Sequence, residues 1–90
     1  MYVDELEIDD YNTAEMARHR VSPREVRQVL NNAPRFFRNK KGHSATHVMI
    51  GPTDGGRMLT VPLAPTSIRG MWRPATAFDA GRADLARYNA

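Results

Sequence analysis

The stretch THVMIGPTDGGRMLTVPL, residues 46 to 63, constrains this chain more than any other. Two runs of β-branched and apolar residues flank Thr53, Asp54, Gly55 and Gly56, and glycine supplies the positive φ that a tight turn needs. The centre of the chain is therefore expected to be a β-hairpin. Pro62 cannot donate to a ladder, which predicts an edge or bulge position for it. GMWRPATAF, from Gly70, predicts a further strand with the same complication at Pro74, and RFFR at 35–38 has the aromatic content of another.

Helix signals stand on both sides of this region. Ser22, Pro23 and Glu25 make a capping box with proline at the first helical position, and Val21 and Val26 sit where a hydrophobic staple needs them. From that cap, Val26, Val29 and Leu30 form one stripe and Arg20, Arg24, Arg27 and Asn31 another, so the first faces a core and the second faces water or a partner. Asn32, Ala33 and Pro34 end the helix. An earlier helix is expected from about Thr13 to His19 with Asn12 as its cap, and a last one capped by Asp79, with Leu85 and Tyr88 as its apolar edge and Asp84 paired to Arg87. Tyr2, Leu6 and Ile8 alternate with Val3, Glu5 and Glu7, which predicts a short first strand. The expected fold is α+β: one domain over residues 1–90, a small antiparallel sheet, and two N-terminal helices and one C-terminal helix packed on one face.

Charge is distributed unevenly. Residues 1–15 hold Asp4, Glu5, Glu7, Asp9, Asp10 and Glu15 and no Lys or Arg, a net −6; the remainder carries all 13 Lys and Arg against 4 acidic residues, a net +9. A basic body behind an acidic arm favours nucleic acid or an acidic protein, and the bland alternative is a solvated surface balanced by its own arm. The absence of cysteine excludes disulfides, thiolate metal sites and thiol catalysis. The acidic N-terminus lacks the apolar core of a signal peptide and no run is long enough to span a membrane, so a cytoplasmic protein is expected.

Few motifs carry chemistry. His43 and His47 are four apart, but they span a glycine-containing loop without a carboxylate pattern, so no metal is expected. TDGGR lacks a Walker lysine and reads as a turn. What remains is Arg, Lys, His and Tyr, the groups a metal-independent ribonuclease uses to clamp phosphates and to move a proton while a 2′-hydroxyl attacks. Lys40 and Lys41 lie in the polar loop NKKGHS, a natural rim for such a site.

Taken in order, Arg18-His19-Arg20-Val21-Ser22, Ile50-Gly51, Gly56-Arg57-Met58-Leu59, and Thr76-Ala77-Phe78-Asp79-Ala80 leading to Arg82, Asp84 and Tyr88 resemble the BrnT family of toxins from type II toxin–antitoxin systems. The resemblance covers nearly the whole chain, from Leu6 to Tyr88; each piece is short, and the resemblance lies in their order and spacing. It implies a RelE-like fold, metal-free ribonuclease activity without a cofactor, and neutralisation by an antitoxin encoded next door, in a hetero-oligomer. It also implies roles: the family's lysine and histidine before the second helix fall on Arg18 and His19, its hairpin arginine on Arg57, and the arginine opening its last strand on Arg73. Two further family arginines fall on Thr46 and Phe78, and His47 stands beside the first of these as a substitute acid or base. The expected set is thus His47, His19, Arg73 and Arg57 for chemistry, with Arg18, Arg24, Arg27, Lys40, Lys41 and Tyr88 holding RNA. The other function class is a non-catalytic module of the same fold that binds nucleic acid or the antitoxin.

Overall fold

A computed structural model describes all 90 residues. In chain order the elements are β1 (Glu5–Leu6), α1 (Asp10–Ala17), α2 (Pro23–Asn31), β2 (Arg35–Arg38), β3 (His47–Pro52), β4 (Met58–Pro65), β5 (Met71–Pro74), β6 (Phe78–Asp79) and α3 (Arg82–Asn89). The hairpin forms as the glycine turn demands: β3 and β4 pair antiparallel from His47↔Leu63 to Pro52↔Met58, and Gly56 turns the corner at φ 86°.

The sheet order is β1-β5-β4-β3-β2, with β6 beside β4. An all-antiparallel sheet was expected, and the sheet is mixed because β1 runs parallel to β5, Leu6 opposite Trp72. Leu6 and Ile8 pack against the core from that position. A parallel pairing needs a long crossover, and here the rest of the chain supplies it. Pro62 lies in a central strand and not at a literal edge. Its backbone N faces the break between β5 and β6, the side on which its carbonyl accepts from the Ala75 N–H at 3.0 Å, so no ladder bond is lost.

Register decides which side chains meet. Met49, Leu59, Val61 and Leu63 share one face, where Met16 of α1 and Val26 and Val29 of α2 close a fully buried core over them. Gly51 sits on that face because a Cβ would come within 3.1 Å of Pro34 and 3.2 Å of Val29. The opposite face was expected to be open, and α3 covers it. Thr60 donates its hydroxyl to Asp84 at 2.8 Å, and the Arg87 guanidinium stacks 4.4 Å from the Phe37 ring. Burying Val48, Ile50 and Thr60 as well as Met49 and Val61 requires a layer on each side, which is why the central strands read as nearly continuous apolar runs.

Two caps differ from expectation. The first helix starts at Asp10 with Asp9 as N-cap, and Asn12 occupies the third position of the capping box, its Oδ1 accepting from the Asp9 N–H at 2.8 Å. Asn12 is taken by the core: its amide also donates to Glu7 O at 2.9 Å and Pro74 O at 3.1 Å. α3 starts two residues later than expected, behind Gly81 without a side-chain cap, and Asp79 lies in β6 bound to Arg57. The capping box of α2 is present as read, Ser22 Oγ accepting from the Glu25 N–H at 3.2 Å and Glu25 from the Ser22 N–H at 3.0 Å.

Candidate nucleic-acid interface

The residues expected to act together are spread over three places. Arg57 follows the turn at one end of the hairpin. Its Nε donates to Asp79 at 2.7 Å, Nη1 to Arg20 O at 2.8 Å and to Glu25 at 3.2 Å, and Nη2 to His19 O at 3.2 Å. The guanidinium thus binds the α1–α2 turn, the first turn of α2 and β6 to one another, and its fork is almost filled by the protein itself. His19 lies beside it, exposed, with its ring edge-on to Phe78 at 5.8 Å, and Arg18 pairs with Glu15 at 3.5 Å.

Arg73 is in the second place. It grips Asp9 through two nitrogens at 2.6 and 3.1 Å and reaches Glu7 at 3.3 Å. This holds the Asp9 carboxyl at about 2, well below its ordinary value, the Arg73 hydrogen bonds being the main cause and the Asn12 backbone N–H the next. Arg73 stands opposite Ala64, whereas Leu63 stands opposite both Pro74 and His47. Because successive residues of a strand point to opposite faces, Arg73 and His47 leave the sheet on different sides. They cannot close on one phosphate.

His47 belongs to the third place, with β3 between it and Arg57: about 17 Å at the usual strand rise. Here the structure gathers cations. Arg38 is the cross-strand partner of His47, and the loop between β2 and β3 forms a cleft of about 230 Å3 lined by Arg38, Asn39, Lys40, Lys41, Gly42, His43 and Thr46. Ion pairs engage Arg18, Arg57, Arg73 and Arg87; Arg38, Lys40 and Lys41 have no carboxylate partner. Asn39 shapes the loop, its amide donating to Ala45 O at 2.8 Å while its Oδ1 accepts from the Lys40 N–H at 2.9 Å. Thr46 on the rim lies with its hydroxyl 2.8 Å from His47 Nδ1. The His47 ring stands edge-on to Trp72 at 5.2 Å, and burial against it lowers the imidazole below its ordinary value; the positive Arg38 and the N-terminal ammonium add to that shift. His47 is therefore neutral at neutral pH, a proton acceptor held among cations.

Arg24 and Arg27 extend outward from α2 as its spacing predicts, Arg27 over a separate cleft of about 360 Å3 that it shares with Asp4 and Glu5. Tyr88 is half-buried in α3, and its carbonyl accepts from Arg35 at 2.9 Å. No group of three or more His, Asp or Glu is arranged to hold a metal ion.

Sequence reasoning overlooked Arg38 as the cross-strand neighbour of His47. The signal was a matter of counting: pairing RFFR with the strand that opens at His47 brings Arg38 opposite His47 and folds the lysines and His43 into the connecting loop. No protein-family model matches the chain, and no curated protein does.

Proposed function

We propose that this chain is an RNA-directed toxin of a toxin–antitoxin pair, binding RNA at the β2–β3 cleft and cutting it without a metal. The observation that carries the reading is one cleft lined by Arg38, Lys40 and Lys41, none opposed by a carboxylate, with His47 as the cross-strand partner of Arg38 and its imidazole shifted towards the neutral form by partial burial. In the reaction a 2′-hydroxyl attacks the neighbouring phosphorus, His47 takes its proton, and the 5′-oxygen leaves with a proton supplied from the cleft. Arg38 and the lysines offset the charge that builds on the phosphoryl oxygens, and Arg38 supplies from the adjacent strand a cation that the family pattern has at Thr46. The partner is an antitoxin from a neighbouring gene, acidic enough to cover the cleft, and the pair acts in the cytoplasm.

A specific observation favours a second reading, a non-catalytic binding module. The two arginines that the resemblance assigns to chemistry, Arg57 and Arg73, are both held in internal ion pairs. Purified protein incubated with RNA in excess chelator separates the two. Products ending in 2′,3′-cyclic phosphate, reduced about 100-fold or more by His47→Ala, support the enzyme. Intact RNA that is nonetheless bound supports the module. In cells, expression without the neighbouring gene is expected to slow growth, and His47→Ala to relieve it only if cleavage is the cause.

A further inference from the structure

We propose that the cleft beside Trp72, between the N-terminal segment and the β4–β5 turn, holds an unpaired base of the RNA, stacked on the Tyr2 ring beneath the Arg69 guanidinium. This rests on the RNA reading above and names what receives a nucleotide next to the phosphate at His47.

Position carries the argument. His47 stands opposite Leu63, and Pro65, two residues on, stands opposite Trp72, so the imidazole and the indole leave the same face of the sheet. They meet above β4 with ring centres 5.2 Å apart. Arg38 flanks His47 on its other side, from β2. Across the sheet the chain thus sets cations for phosphate, an imidazole for the proton, and then a cleft of about 270 Å3 lined by Trp72, Tyr2, Met71, Ile68, Arg69 and Gly70. A strand of RNA lying along that row brings a base to the cleft when its phosphate is at Arg38 and His47.

The lining suits a base. Tyr2 and Ile68 are each 56% exposed, and the exposed Arg69 beside them has no carboxylate partner. An aromatic face and an arginine are the groups by which single-stranded nucleic acid is held without regard to sequence. The Arg69 guanidinium lies over the Tyr2 ring at 6.0 Å from its centroid, the outer limit of a cation–π contact. Two stacking intervals need about 7 Å, so an outward shift of roughly 1 Å in one exposed side chain admits a base between them. An apolar patch also suits a protein partner; continuity with His47 and the unopposed arginine favour RNA.

Tyr2 is fixed in place although it stands next to the terminus. Trp72 Nε1 donates to its carbonyl at 2.9 Å, and the N–H groups of Asp4 and Glu5 donate to Gly70 O at 2.8 and 3.1 Å. Gly70, at φ 83°, makes room for the ring, since a Cβ there would stand 2.6 Å from Tyr2 Cε2. Binding therefore needs an arginine side chain to move but no ordering of the N-terminal segment.

The test uses two single strands of equal length with 2′-O-methyl riboses, which cannot be cut by 2′-hydroxyl attack. One bears adenine at every position and the other is abasic throughout, so the phosphates are equal in number. Affinity is read by fluorescence anisotropy in chelator, and contact by the emission of Trp72, the single tryptophan of the chain. The base-bearing strand is expected to bind about 10-fold tighter or more and to quench the indole, as one stacked base suffices for a difference of that size. Tyr2→Ala should remove the advantage, and Tyr2→Phe, which keeps the ring, should retain it. Both variants are expected to fold, because Tyr2 accepts from Trp72 through its backbone carbonyl. Equal affinity for the two strands overturns the proposal, leaves the RNA reading intact and gives the patch to a protein partner. An advantage that survives Tyr2→Ala also overturns it and moves the base to the flat groups of the β2–β3 cleft, His43 and Arg38. A loss in Tyr2→Phe as large as in Tyr2→Ala counts against stacking in the same way. If neither strand binds at low salt, the RNA reading itself fails and this inference falls with it.

Discussion

Arg57 shows how one side chain can be legible in sequence while the protein groups it binds are not. A cation after a glycine turn looks like a rim residue, yet it is one-third exposed or less and joins three elements. Arg57→Ala should destabilise the protein by about 2 kcal/mol, since it leaves two turn carbonyls and the Glu25 carboxylate short of a donor. Arg57→Lys should recover little of this because a point charge cannot replace a fork, as denaturant titration of the three proteins would show. Arg73 and Asp9 make a second residue-scale case, with a pH signature. The Asp9 carboxyl is held at about 2 against an ordinary 3.8, so its contribution is complete above the ordinary value and disappears as pH falls towards 2. Glu25, lowered mainly by the Ser22 N–H, and Asp79, lowered by Arg57, act in the same direction. Asparagine keeps the N-cap but not the charge. The difference in melting temperature between wild type and Asp9→Asn should therefore be largest near neutral pH and shrink as pH drops towards 2; a constant difference would contradict the ion-pair account.

Among the elements, α2 is the one whose boundaries local chemistry announces, because its cap, proline and return carboxylate lie within four residues. Ser22→Ala should cost about 1 kcal/mol in thermal or chemical melts and leave RNA affinity unchanged, since Ser22 is remote from the β2–β3 loop in sequence and topology. α3 behaves in the opposite way. It buries no residue completely and has no side-chain cap, and its C-terminus is held by Arg35, whose Nη1 reaches the carbonyls of Arg87, Tyr88 and Ala90 at 3.2, 2.9 and 2.8 Å. Arg35→Ala should fray this helix selectively. Amide exchange of residues 85–90 should quicken while the hairpin amides remain protected, and uniform loss of protection would show that α3 is part of the cooperative core. The helix α1 lies between these cases. Asp9 and Asn12 are both good caps, and the choice between them depends on a hydrogen bond from Asn12 to Pro74 that exists only once β5 is in place.

At the scale of the whole molecule, the net charge conceals a sorting of cations. Much of the acidic arm is used internally, Glu7 and Asp9 on Arg73 and Glu15 on Arg18, while the cations of the β2–β3 loop and the outer face of α2 stay free. Affinity for single-stranded RNA should therefore fall linearly with the logarithm of salt concentration, losing a slope of roughly 0.7 per neutralised phosphate. Lys40→Ala/Lys41→Ala should flatten that slope more than Arg24→Ala/Arg27→Ala, if the loop and not α2 is the contact surface. Titration by anisotropy over a salt series measures both, and the reverse ranking would move the interface to α2.

Local chemistry by itself determined the β3–β4 hairpin, the start of α2, the apolar stripe of Val26 and Val29 and the polarity of charge along the chain. Each depends on neighbours within a few residues: a glycine turn, a reciprocal cap, a helical or strand period. Tertiary structure alone decided the parallel pairing of β1 with β5, the covering of the second sheet face by α3, and the company each candidate residue keeps. Those outcomes depend on register between segments far apart in sequence, and with a side-chain period of two, one residue is enough to move Arg73 to the face opposite His47. The same register brings Arg38, which no motif distinguishes, alongside His47.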